Sequence, residues 1–173
     1  MAPMRAGIAL GSNLGDRLAF LERARAQVLE IPGVGQPCLS SSLYETEPVG
    51  TEADAEGFLN AIIEVDFEGH PAALLEALQD IERCLGRPSK RPRNASRTID
   101  LDILYVGNLT LSTPSIIIPH PRLHLRRFVL EPLVEIRPEL RLPGQQLSAG
   151  ELLAGLEDPA AVMRASVQWQ PVA

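Results

Sequence analysis

The chain has 173 residues, of which 45% are hydrophobic and 22% charged, with a formal net charge of -6; this is the profile of one compact soluble domain. The acidic balance argues against general nucleic-acid binding, and 4% aromatic residues are too few for a base-stacking platform. Cys38 and Cys84 form no CxxC pair and are expected as buried, reduced thiols, and no apolar run suits a signal peptide or a membrane span, so a cytoplasmic monomer without membrane or nucleic-acid partners is expected.

Residues 6–11 alternate as a first strand, with Ile8 and Leu10 on one face. They run into a turn of small and polar residues over 11–16. Such a turn can offer backbone N–H groups to an anion or a ring edge, and it equally meets the steric needs of any strand-to-helix turn. It matches neither the GxxxxGK(S/T) nor the GxGxxG pattern, so neither a P-loop nor a dinucleotide fingerprint is read. A helix follows over 16–30, with Leu18, Leu21, Val28 and Ile31 at helical spacing, and Pro32-Gly33 stops it. A second strand is predicted over 38–46. Residues 47–57 are acidic, contain Pro and Gly and have no periodicity, which reads as a loop of the length used for lids and binding loops.

The third strand, 58–67, has a clean core face of Leu59, Ala61, Ile63, Val65 and Phe67. Its other face carries Phe58, Asn60, Ile62, Glu64 and Asp66. Asn60 lies among apolar neighbours, so its amide needs partners: a ring with donors and acceptors, or a neighbouring loop. A second helix spans 71–85, with Pro71 in its first turn, Gly86 past its end and a buried stripe of Leu74, Leu78, Ile81 and Leu85. Gln79 and Glu82 share a face near its end; spacing alone makes them plain helix surface.

The next segment is strongly basic: Arg87, Lys90, Arg91, Arg93 and Arg97 fall within residues 87–97. It feeds a strand in which Ile99, Leu101 and Ile103 point one way and Thr98, Asp100 and Asp102 the other. Carboxylates two residues apart on one strand face lie about 6.5–7 Å apart, a separation suited to hard cations such as Mg²⁺. An Asp-x-Asp triplet alone fits a solvated edge strand equally well. The adjoining basic segment favours a polyphosphate ligand, with Arg and Lys on its oxygens and metal on the rest. A hairpin turn is predicted at Gly107-Asn108, followed by a short strand to Leu111. The apolar run 116–118 leads to His120, which reads as a phosphate contact or a hydrogen-bonded structural residue. His70 and His124 read as surface. Arg126, Arg127 and Phe128 open a helix ending near Ile136; a cation there opposes the helix dipole, which points to a ligand role for Arg126. After Leu140 only a short helical stretch, 148–156, and an uninformative tail are read. The order βαββαβ followed by helices predicts an α+β fold, a ferredoxin-like split βαβ sandwich with an antiparallel sheet and helices packed on one face, as a single domain over 1–173.

Taken in order, these segments resemble the 6-hydroxymethyl-7,8-dihydropterin pyrophosphokinase family of folate biosynthesis. The resemblance covers residues 8–138. It rests on GSNLGDR at 11–17, Tyr-x-Thr-x-Pro-x-Gly at 44–50, Phe-Leu-Asn at 58–60, Gln79 with Glu82, and Gly86-Arg87. The Arg-x-Ala-Ser-Arg-Thr-Ile-Asp-Leu-Asp-Ile-Leu run at 93–104 is its most specific part, followed by Pro119-His120, Arg126-x-Phe128 and Glu131-Pro-Leu. It implies transfer of the β and γ phosphates of ATP, as one pyrophosphoryl group, to the pterin hydroxymethyl group, with AMP released. It implies two Mg²⁺ on Asp100 and Asp102, with Arg97 and Arg87 stabilising the transferring group and His120 and Arg126 on phosphate oxygens. Gln79, Glu82 and Lys90 fall on the nucleotide side, with Ile103 against the adenine. The pterin would stack between Phe58 and Phe128, with Asn60 and backbone groups near Thr46 and Val49 reading its edge. Ser89, Asn94, Ser96 and Pro121 depart from residues found in some members and bear on loop closure and nucleotide affinity. The competing readings are another Mg²⁺-dependent nucleotidyl- or phosphotransferase, a non-enzymatic ferredoxin-like binding module, and a pterin-binding homologue without turnover.

Overall fold

The computed structural model describes residues 2–47, 57–86 and 98–170. Their strands and helices run β1 (Met4–Ser12), α1 (Arg17–Leu29), β2 (Val34–Ser40), β3 (Tyr44–Thr46), β4 (Phe58–Phe67), α2 (Pro71–Cys84), β5 (Asp100–Val106), β6 (Leu111–Ser112), β7 (Ile117–Ile118), α3 (Arg127–Ile136), α4 (Ala149–Ala154) and β8 (Val162–Arg164). A 3₁₀ turn, Leu123–Leu125, precedes α3.

Among the described residues the main sheet is antiparallel, in the order β5-β1-β4-β3-β8, with β2 pairing the far half of β4. The antiparallel α+β plan expected from the sequence is therefore the observed one. Its period-2 logic also holds on β4, where Leu59, Ala61, Ile63, Val65 and Phe67 enter the main core with Leu21 and Val28 of α1 and Leu74 and Leu78 of α2. The expectation of helices on one face needs correction. Ile62 of β4 and Leu104 and Tyr105 of β5 form a second core with Val129, Leu130 and Leu133 of α3 and Ala149 beside them. Helices thus cover both faces, because β4 and β5 carry apolar residues on both sides.

Local chemistry sets the element ends. Asp16 accepts from Ala19 N–H at 3.1 Å and starts α1. His70, read as surface, accepts from Ala72 N–H at 3.1 Å through Nδ1 and caps α2. The Gly86 φ of 95° ends that helix region at no steric cost. Ser148 and Glu151 form a reciprocal capping box on α4.

Three further expectations are corrected. The second strand is two strands, broken where the Ser41 hydroxyl accepts from Ile62 N–H at 2.9 Å in place of a ladder bond. The turn at Gly107-Asn108 does not join paired strands: Gly107 N–H donates to Arg5 O at 2.8 Å, and β6 pairs β7. Cys38 is half-buried and Cys84 exposed, both unpaired thiols. Cys84 lies at the end of α2, off the stripe formed by Leu74, Leu78 and Ile81.

The tail also has structure. β8 adds to the free edge of β3, and Trp169 Nε1–H donates to Ser41 O at 2.8 Å while the Arg25 guanidinium stacks 4.0 Å from its ring centroid.

Candidate active site

A cavity of about 550 Å³ opens on the sheet face that carries α3. Its walls come from β1, β3, β4, β5 and α3, together with Arg122 and the chain after α4.

Asp100 and Asp102 stand on one face of β5, opposite Gly11 and Ala9 of β1, and both are half-buried on the cavity wall. The intervening Leu101 is buried on the other face, and its N–H donates to Glu82 Oε2 at 3.0 Å. Glu82 thus ties the end of α2 to the carboxylate-bearing strand. The two Asp groups offer hard oxygen donors, which suit Mg²⁺. Among the described residues no third carboxylate, His or Cys joins them in a metal-binding cluster. A Mg²⁺ ion there would complete its shell with water and phosphate oxygens, as it ordinarily does.

At the other end, Phe58 pairs with Thr46 and Asn60 with Gly11 in the strand register. Asn60 is 7% exposed, and its Nδ2–H donates to Thr46 Oγ1 at 2.8 Å. A partner on a neighbouring strand therefore takes one side of the amide. A Cβ at Gly11 would lie 2.8 Å from Asn60 Oδ1 and 3.6 Å from the Phe58 ring, so the missing side chain leaves room for both groups. Across the cavity stands Phe128, in the first turn of α3, with the Arg126 guanidinium 5.4 Å from its ring centroid.

His120 flanks this region. Its N–H donates to Leu104 O at 2.8 Å, and its Nδ1 accepts from Arg122 N–H at 3.1 Å. The neutral ring then carries its proton on Nε2. Burial, followed by the charges of Arg126 and Arg122, holds the imidazole below its ordinary pKa, with Asp100 opposing.

Of the residues singled out from sequence, Asp100, Asp102, Thr46, Phe58, Asn60, Arg126 and Phe128 meet around this one cavity. Ile103 is 5% exposed and packs in the main core instead, and Gln79 is an exposed residue of α2. Arg87, Lys90, Arg97 and Val49 lie outside the described residues. Sequence reasoning missed Arg122, Asp158 and Ala160 as lining residues. It also missed Arg17, whose guanidinium bonds both Glu45 carboxylate oxygens at 2.8 Å and Gly57 O at 2.7 Å. Arg17 thereby clamps the two chain ends that border residues 48–56. The signal for Arg17 was its place in the GSNLGDR motif; nothing local marks Asp158.

Comparison with known proteins identifies the family of the chain. The family model described as 7,8-dihydro-6-hydroxymethylpterin-pyrophosphokinase matches residues 7–138. The Bacillus subtilis 2-amino-4-hydroxy-6-hydroxymethyldihydropteridine pyrophosphokinase is 46% identical over 129 residues, covering 75% of each chain. The protein of the same description from Methylorubrum extorquens is 39% identical over 160 residues, covering 92% of this chain and 98% of its own. A crystal structure of an HPPK-DHPS in complex with substrates shares the fold, with a TM-score of 0.71 at 16% identity. That match covers 89% of this chain, which spans only 43% of the longer one. The chain belongs to the 7,8-dihydro-6-hydroxymethylpterin-pyrophosphokinase family.

Proposed function

We propose a division of labour in this cavity for the reaction of the family. The chain is an ATP-dependent pyrophosphokinase of folate biosynthesis, which transfers pyrophosphate from ATP to 6-hydroxymethyl-7,8-dihydropterin and yields AMP and the pterin pyrophosphate. The pterin ring lies between Phe58 and Phe128, where two aromatic faces suit a flat heterocycle. Asn60 Oδ1 accepts from the ring edge, and backbone groups near Thr46 and Val49 complete the reading. This directs the hydroxymethyl oxygen toward Asp100 and Asp102. There the hydroxymethyl oxygen loses its proton to water and forms the new bond to the β-phosphorus as the bond between that phosphorus and the α-β bridging oxygen breaks, and AMP leaves.

Transfer of this kind needs alignment and charge neutralisation more than a covalent nucleophile. Asp100 and Asp102 would hold two Mg²⁺, which when bound would supply charge neutralisation at the phosphates. Arg126 and the Nε2–H of His120 donate to phosphate oxygens. Arg87 and Arg97 of the basic segment hold the transferring group, while Gln79, Glu82 and Lys90 serve the nucleotide side. We assign residues 1–173 to one domain acting as a cytoplasmic monomer; among the described residues no helix is long and apolar enough to cross a membrane.

The observation that supports this reading is that one cavity has both carboxylates and Phe58, Asn60 and Phe128 on its walls. Incubation with ATP, Mg²⁺ and the pterin should give AMP only when pterin is present. Asp100→Ala and Asp102→Ala should each lower that rate by about a thousandfold or more while leaving the circular dichroism spectrum intact. ADP as the product would refute pyrophosphoryl transfer, and tight pterin binding without nucleotide turnover would mark an inactive homologue.

A further inference from the structure

The segment after α4 reaches back to the site. Asp158 Oδ2 accepts from Arg127 N–H at 3.1 Å, and Oδ1 accepts from Ala160 N–H at 3.0 Å. The Arg127 side chain closes the loop: Nε donates to Asp158 O at 3.3 Å and Nη2 to Leu156 O at 3.2 Å. Asp158 and Ala160 also line the cavity, beside Phe128.

This clamp falls where α3 needs it. The helix begins after Arg126, whose side chain makes no capping bond. The first N–H groups of a helix lack intrahelical partners, and cations there oppose its dipole. Asp158 meets one of those groups with an anionic oxygen from a distant part of the chain. The residue it holds, Arg127, lies between Arg126 and Phe128, which line the cavity together with Val129.

We propose that Asp158 is a positioning residue for the pterin end of the cavity, capping α3 so that Phe128 and Arg126 are held in place, and that residues 156–160 form a wall of the binding site. This role rests on the reading that the pterin contacts Phe128. Loss of the cap lets the first turn fray, and the aromatic wall loses its fixed distance from Phe58.

The test compares full-length variants by pterin affinity, measured by fluorescence titration with 6-hydroxymethyl-7,8-dihydropterin, and by thermal midpoint. Asp158→Ala should weaken pterin binding about tenfold, the size of a lost cap expressed as affinity. Asp158→Asn, which keeps one acceptor, should give a smaller loss. Trp169→Ala removes a second anchor of the tail, remote from the cavity; it should lower the midpoint at least as much yet leave pterin affinity within about twofold. Phe128→Ala should weaken pterin binding more than any of these. If Asp158→Ala does not fold, Asp158→Asn and Arg127→Ala, each removing part of the clamp, should still weaken pterin binding, by less than about tenfold but by more than Trp169→Ala. Unchanged pterin affinity in the Asp158 variants beside a loss in Phe128→Ala would overturn the positioning role. An equal loss in Trp169→Ala would overturn it too, since general stability would then suffice. Unchanged affinity in Phe128→Ala would overturn the pterin contact, and the role of Asp158 with it.

Discussion

Gly11 shows how an absent side chain can define a site. It pairs with both Asn60 and Asp100, and a Cβ there would sit 2.8 Å from the Asn60 amide oxygen. Gly11→Ala should weaken pterin binding about tenfold or more by displacing that amide, with binding of a non-hydrolysable ATP analogue changed far less; isothermal titration of both ligands checks the split. His120 makes a prediction in pH. Its folded pKa lies below the ordinary 6.5 because burial and the neighbouring arginines disfavour the charged ring. Between the folded pKa and 6.5 the unfolded chain binds more protons, so stability rises with pH. The contribution of the neutral ring is intact above pH 6.5 and is lost as pH falls through that window. Urea unfolding from pH 5 to 8 should show this slope in the native chain and lack it in His120→Gln.

The elements are locked at the end of β4 away from the cavity by a buried carboxylate. Glu64 is 0% exposed, accepts from Arg5 Nε at 2.9 Å and from Arg137 Nη1 at 2.7 Å, and takes the Tyr105 hydroxyl at 2.5 Å. Burial, then the bond to Glu64, pushes the Tyr105 hydroxyl far above the usual phenol range, so it remains a donor. Tyr105 reaches Glu64 by lying across Gly7, where a Cβ would meet the ring at 2.3 Å. This hub joins β1, β4, β5 and the residue that ends α3. Glu64→Ala leaves two guanidinium groups and a phenol without their shared acceptor, and should cost about 3–5 kcal/mol in chemical denaturation. Because the hub lies several residues along β4 from Asn60, pterin affinity of the folded variant should stay within about twofold. A large affinity loss at full folding would mean that the hub and the cavity are coupled.

For the whole molecule, one face of the sheet is committed to stability and the other is shared with function. Against the first, α1 and α2 bury the larger core; against the second, α3 and α4 bury a smaller one that reaches the cavity wall at Val129. The tail closes the arrangement from the edge, through β8 on β3 and Trp169 on Ser41 and Arg25. Half-buried and packed against the larger core, Trp169 is worth about 2 kcal/mol. Trp169→Ala should therefore lower stability by that amount in urea titration while the rate of AMP formation at saturating substrate holds.

The amino-acid sequence by itself determined the elements whose signals are local. Alternation marked β1, β4 and β5, helical spacing with Pro71 and Gly86 marked α2, and the Asp-x-Asp strand beside a basic segment marked polyphosphate chemistry. It also picked out Phe58, Asn60, Arg126 and Phe128, because a motif keeps its residue types wherever the chain carries them. Only the tertiary structure decided which groups meet. That α3 covers the second sheet face follows from Ile62, Leu104 and Tyr105, whose partners are distant in sequence. That β6 pairs β7 depends on where the turn at Gly107 is held, by Arg5. Asp158 lies in a stretch with no periodicity, and its contact with Arg127 spans 31 residues. Such contacts depend on how the packed elements close against one another, and no short window of sequence encodes that closure.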